Sequence, residues 1–168
     1  MKIYGKAATI VIRIILHLIC KVDARELKKI PKQGPFIIAI NHINFLEVPL
    51  LFTDLYPRPT HGIIKKETWD NSFLAWLADN WESISLDRES FSVETFKKAK
   101  EILRAGKIII IAPEGTRSLD GKLVKAHPGV ISMALQSDVP IIPVAHYGGE
   151  FFWDRISRFK RTNFTYKV

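Results

Sequence analysis

The sequence predicts an α/β fold, a mixed and largely parallel β-sheet flanked by helices, on three observations. Short apolar runs alternate with helical patterns from residue 22 onward, "KIIIIA" (107–112) holds four consecutive isoleucines, and "SVETFKKAKEILRAG" (92–106) is amphipathic at helical spacing. Four isoleucines in a row leave no face for water, so that strand belongs inside a sheet covered on both sides. Strands of this kind alternating with helices are the pattern of layered parallel sheets.

The elements follow in chain order. Residues 7–20, "AATIVIRIILHLIC", form an apolar helix of 14 residues that carries Arg13 and His17. A spanning helix needs about 20 apolar residues, and no small-residue cleavage site follows as a secretory signal requires. Residues 1–22 therefore read as an interfacial helix with basic residues near its ends, or as a helix docked into an ordinary core. "PFIIAI" (35–40) is a buried strand, "FLEVPLLFTDLY" (45–56) a helix with Pro49 in its first turn, and "THGIIKK" (60–66) a strand. "DNSFLAWLADN" (70–80) is a short helix with Phe73, Leu74 and Leu77 on one face and Trp76 packed in the core. "ESISLDR" (82–88) alternates like a strand.

In the 92–106 helix, Ser92 is the cap, Glu94 favours the positive end of the dipole, and Val93, Phe96, Ala99 and Leu103 make the apolar stripe. Gly106 ends it. A helix near 128–137 opens with Pro128, "PIIPVA" (140–145) is a short buried strand, and "TNFTYKV" alternates like a strand up to the last residue. No repeat, low-complexity segment or linker divides residues 23–168, which read as one domain.

A single cysteine, Cys20, excludes an internal disulfide, and without CxxC or a His/Cys cluster no metal site is implied. The net charge of +8 favours polyanions: nucleic acid, anionic headgroups or phosphorylated substrates. "RISRFKRTNFTYK" suits nucleic acid, a membrane surface or a plain solvated face, but no nucleic-acid-binding motif accompanies it. Trp69, Trp81, Trp153, Phe151 and Phe152 stay open between interfacial anchors and core.

Two polar turns follow predicted strands. In "NHINFLE" (41–47), His42 is the one histidine of five with an acid five residues on. His17, His61, His127 and His146 have Val22, Lys66, Ser132 and Phe151 at that offset and read as structural, with His146, near Glu150, the one open to another role. In "APEGTRSLDGKL" (112–123), Gly115 lets backbone N–H groups approach a phosphate and Arg117 can bind it bidentately. Each turn has a plain alternative: a histidine that caps its turn, and a glycine turn with a solvent-facing arginine. Arg88 follows a third strand, and ligands of open α/β sheets bind outside the carboxyl ends of the strands.

The ordered blocks "NHINFLE", "SLDR", "PEGTRS" and "VPIIPVA" resemble the lysophosphatidic acid acyltransferase family, part of the glycerolipid acyltransferases, over roughly residues 20–150. The resemblance implies a glycerolipid acyltransferase-like α/β domain over 23–168, peripheral or monotopic at the cytoplasmic face of a membrane. It implies transfer of a fatty acyl group from acyl-CoA or acyl carrier protein to lysophosphatidic acid, giving phosphatidic acid, with no cofactor, no metal and no nucleic-acid partner. Carried over, His42 is the general base and Glu47 its orienting carboxylate. Arg88, Glu114, Gly115, Thr116 and Arg117 surround the acceptor phosphate, Glu114 by fixing Arg117 or the loop backbone. Asn41, Pro113 and Pro143 shape the site, Pro143 within a buried strand. Family members usually have Asp at the Glu47 position and continue past this chain's last residue, which implies an incomplete C-terminus. The alternatives are a related acyltransferase with another glycerolipid or lysolipid acceptor, and a catalytically weak lipid-binding paralogue.

Overall fold

The isoleucine run lies inside the sheet, as its composition demands. In the computed structural model, which describes residues 3–87, 93–118 and 121–168, the strands are β1 (Cys20–Asp23), β2 (Phe36–Ile40), β3 (Thr60–Lys65), β4 (Ile84–Leu86), β5 (Ile108–Ile111), β6 (Ile141–Tyr147) and β7 (Thr162–Lys167). They form one sheet in the order β1-β7-β6-β2-β5-β3-β4. From β6 to β4 all neighbours are parallel, whereas β7 runs antiparallel to β6 and parallel to β1. The sheet is therefore mixed and largely parallel. All four isoleucines of β5 are buried.

The helices are α1 (Ile3–Ile19), α2 (Glu47–Leu55), α3 (Ser72–Asn80), α4 (Val93–Arg104), α5 (Gly129–Ser137) and α6 (Phe152–Ser157). Side chains alternate across each strand, and the two faces meet different helices. Phe36, Ile38, Ile40, Ile108 and Ile110 share a core with Leu16 of α1 and Leu50, Leu51 and Leu55 of α2. Ile37, Ile109 and Ile111 pack instead with Ala99 and Leu103 of α4 and Val130, Met133 and Ala134 of α5. Each fully buried side chain of this size contributes about 1.5–3 kcal/mol.

Helix α1 docks through one face, where Gly5, Thr9 and Leu16 are buried. Trp81 Nε1 donates to Thr9 Oγ1 (3.0 Å), and Asp54 of α2 receives His17 Nε2 (2.7 Å) and Arg13 Nε (3.3 Å). Arg161 Nη2 donates to the carbonyls of His17 and Cys20, satisfying the helix end. The opposite face leaves Ile10, Val11, Ile14, Ile15 and Leu18 exposed. Among the described residues, no helix is long and apolar enough to cross a membrane.

Several expectations are corrected. In α3 the buried residues are Leu77 and Ala78, while Phe73 and Leu74 are exposed and Trp76 is 42% exposed and stacks on Phe73 outside the core. The core place is taken by Trp81, stacked on Phe52 with centroids 4.6 Å apart. In α4, Val93 is 85% exposed and Thr95 is buried in its stead, its hydroxyl donating to Ser85 O of β4. Ser92 lies outside the described residues. Strand β6 is only half buried: Val144 and His146 point into the core, so Pro143, on the alternate side next to Ala39, is exposed.

Two glycines with positive φ separate backbone strain from steric exclusion. Gly148 follows β6 at φ +95°, and a Cβ there would lie 1.8 Å from Asn163 O, next to β7. Gly106 ends α4 at φ +73° with nothing within 4 Å. Gly106→Ala should then lower unfolding free energy by about 1–2 kcal/mol, and Gly148→Ala by about 3 kcal/mol or more. Urea denaturation of both variants checks this; equal losses would contradict the close approach of β7.

Candidate active site

Strands β6, β2 and β5 lie side by side and parallel, so their carboxyl ends open onto one edge of the sheet. Asn41 and His42 follow β2, Pro113 to Ser118 follow β5, and His146 lies near the end of β6. The two polar turns are joined through their backbones: Ser118 N donates to His42 O (2.7 Å), and His42 N donates to Glu114 Oε1 (2.8 Å). Asn41 ties in the third strand, its Nδ2 donating to His146 O (3.1 Å) and its Oδ1 accepting from His146 N (2.8 Å).

The segment "NFLE" builds the start of α2. Asn44 Oδ1 accepts from Leu46 N (2.9 Å) while Glu47 reaches back to Asn44 N (2.7 Å), in the manner of a capping box. Glu47 is thereby both a first-turn acid at the positive end of α2 and a buried site residue. Its Oε1 is hydrogen-bonded to His42 Nδ1. Its Oε2 accepts from Ile43 N (3.1 Å) and Asn44 N (2.7 Å), and His146 Nε2 lies 3.1 Å away. The His42 side chain is 20% exposed, so the ring reaches from the buried acid toward the surface.

Burial alone would push the Glu47 carboxyl up, but the hydrogen bonds from His146 and His42 outweigh it and hold it below its ordinary 4.5. A carboxyl so lowered adds stability that is present above its ordinary value and lost as pH falls through its folded value. The site's contribution should therefore vanish on acidification below about 4.5.

Not every expected residue takes its expected place. Glu114, expected around the phosphate, is buried and braces backbone instead: Oε1 holds His42 N and Oε2 holds Val124 N at 2.7 Å. This is the loop-fixing role, and no contact with Arg117 accompanies it. Gly115 adopts φ +66°, which favours glycine, and a Cβ there would press on the His127 ring at 3.1 Å. Thr116 and Arg117 are exposed beside it. Pro113 O accepts from His127 N (2.8 Å), closing the turn, whereas Pro143 sits three residues before His146 on β6 and is exposed. Arg88 lies outside the described residues. Among the described residues, no group of His, Cys, Asp and Glu is arranged to hold a metal ion.

Sequence reasoning missed Asn44, buried with its Nδ2 donating to Gly149 O (2.6 Å). The Asn-x-x-Glu spacing ahead of an apolar run was the available signal. It left His146 undecided, because its partner is distant in sequence.

Replacing Glu114 by glutamine leaves one acceptor oxygen for two backbone donors and turns an amide N–H₂ toward one of them. Glu114→Gln should cost about 1–3 kcal/mol of stability and speed amide exchange at Val124, measured by denaturation and hydrogen exchange.

The same arrangement connects this chain to known proteins. The acyltransferase family matches residues 21–147, which span both turns and His146. The 1-acyl-sn-glycerol-3-phosphate acyltransferase of Bacillus subtilis is 26% identical over 137 residues, 82% of this chain and 68% of that protein. The coconut (Cocos nucifera) protein of the same name is 32% identical over 124 residues, 72% of this chain and 40% of its own length. The crystal structure of the 1-acyl-sn-glycerophosphate (LPA) acyltransferase PlsC from Thermotoga maritima superposes with a TM-score of 0.72 at 23% identity, covering 97% of this chain and 67% of that one, and shows the same fold. With the family matched over most of its length, and with the histidine, acid and glycine turn brought together at one sheet edge, the chain belongs to the acyltransferase family of enzymes.

Proposed function

We propose that the protein moves a fatty acyl group from an acyl-CoA or acyl carrier protein thioester to the free hydroxyl of 1-acylglycerol-3-phosphate, giving phosphatidic acid for phospholipid synthesis. The observation that carries this reading is the His42–Glu47 pair, its acid buried and its imidazole partly exposed, with the β2 and β5 turns joined beside it. The names of the relatives support the acceptor.

A hydroxyl is a weak nucleophile at neutral pH, and imidazole is the side chain suited to take its proton. With Nδ1 engaged by Glu47, His42 offers Nε2 as base, and the carboxylate stabilises the imidazolium that forms. The alkoxide oxygen attacks the thioester carbonyl, and the tetrahedral intermediate collapses by breaking the C–S bond. The departing thiolate takes the proton from His42, leaving phosphatidic acid and free thiol. A thioester is already activated, so positioning suffices without a covalent enzyme intermediate or a cofactor. Arg117 and the backbone of Gly115 and Thr116 hold the acceptor phosphate.

We place the enzyme on a membrane, peripheral or monotopic, at the cytoplasmic face. Supporting this are the exposed apolar face of α1 and the net charge of +8, suited to anionic headgroups.

In mild detergent with lysophosphatidic acid and either donor, His42→Ala should lower kcat by about 10²–10⁴-fold. Arg117→Ala should raise KM for the acceptor about tenfold, as loss of a charge-assisted hydrogen bond does. Undiminished turnover in His42→Ala would refute the mechanism. Placing aspartate at Ile10 and Ile14 should reduce sedimentation with anionic vesicles and leave turnover on detergent-dispersed acceptor intact; unchanged sedimentation would remove α1 as the anchor.

A further inference from the structure

We propose that His146 is a positioning residue for acyl transfer: a second imidazole whose Nε2–H holds the Glu47 carboxylate in place beneath His42. The inference rests on the proposed roles of His42 and Glu47, and it assigns a function to a group that those roles leave unused.

His146 is buried at the end of β6, and its ring lies parallel to Phe164 of β7, 5.2 Å between centroids and 10° between planes. Nε2 faces two acceptors, Asn41 O at 2.7 Å and Glu47 Oε2 at 3.1 Å. Nδ1 is buried and has no hydrogen-bond partner among the described residues. Two acceptors at one nitrogen and none at the other place the ring hydrogen on Nε2, shared between the Asn41 carbonyl and the Glu47 carboxylate. A second hydrogen at Nδ1 would be buried without an acceptor, which is costly. The ring thus serves as a donor through Nε2, orienting the carboxylate that faces His42.

The effect on the acid is specific. Glu47 Oε2 is met by Ile43 N, Asn44 N and His146 Nε2, which leaves Oε1 to His42 alone. The backbone donors sit on the same turn as His42 and move with it, whereas His146 belongs to another strand. It ties the carboxylate to a second strand of the sheet. Among the described residues, the buried hydroxyl of Tyr166 is paired across the ladder from His146 and is pushed up by burial and by Asp54, Glu47 and Cys20. Glu114 faces His42 from the β5 turn through the backbone.

The test compares variants of the full chain by their steady-state kinetics across pH, with thermal melts for folding. His146→Phe keeps the ring and removes the donor. His146→Gln places an amide N–H at the reach of Nε2, and His146→Asn offers the same group too short to reach it. We expect His146→Phe and His146→Asn to lose about 10- to 100-fold in kcat with KM for both substrates within about twofold. The acid limb of kcat/KM should move to higher pH, because a carboxylate with fewer donors stabilises the His42 imidazolium more. His146→Gln should recover most of kcat and return the limb to its place. If His146→Phe does not fold, the glutamine and asparagine pair decides alone, since reach is their only difference. Equal kinetics for that pair, or parent kcat and an unmoved limb in His146→Phe, would overturn the proposal. His42→Ala, run alongside, separates the two readings. Turnover retained there removes the base itself, whereas loss there with unaltered His146 variants removes only the positioning role.

Discussion

A carboxylate buried without water must be fully supplied with donors, and Glu47 is the acid around which this structure is arranged. Its partners come from two places: the turn after β2, which supplies His42, Ile43 N and Asn44 N, and the end of β6, which supplies His146. Keeping them within hydrogen-bond reach fixes the register of β2 against β6, where Ala39 lies opposite Pro143 and Ile40 opposite Val144. A slip of one residue would point His146 away from the acid, since side chains alternate. Sheet packing and site geometry are therefore one constraint: the apolar core that sets the register also delivers the polar groups.

The parallel arrangement explains why the second turn arrives at the same edge. β5 lies on the other side of β2 and runs with it, so its loop leaves beside His42, where Glu114 and Ser118 join the two backbones. Glu114 spends both carboxyl oxygens on backbone N–H groups. An acid in a turn expected to bind anions is consistent with that binding only because it is buried and occupied. The cationic and glycine positions of the same turn, Arg117 and Gly115, remain at the surface side.

Much of this was legible in the sequence, for physical reasons that also mark where legibility ended. The β5 isoleucines, the 92–106 helix and the two turns are local patterns: unbroken apolarity, helical spacing with a stop glycine, polar residues just past a strand. The errors fell where burial depends on distant partners. Trp76 and Trp81 are both aromatic and five residues apart, and it is distant partners, Phe52 stacked on its ring and Thr9 at its Nε1, that hold Trp81 inside. Pro143 looked buried because its neighbours are apolar, yet strand alternation put it outside. The short β1 and α6 carry too few residues for any period to show. His146 could not be assigned because its acid lies 99 residues earlier in the chain, as the numbering of Glu47 and His146 gives.

The same geometry bears on why position 47 holds a glutamate and not an aspartate. Glu47 is held in the first turn of α2, and its carboxyl group bridges from His42 to His146 while reaching back to Asn44. Aspartate is one methylene shorter, so from an unchanged backbone its oxygens would fall more than an ångström short of one ring or the other. Glutamate also has one more rotatable bond, whose freedom has to be restrained for its carboxyl group to keep one position. Donors from a second strand supply that restraint. Added reach and added anchoring thus appear together in this chain, and a shorter acid placed here would meet a cavity shaped for the longer one.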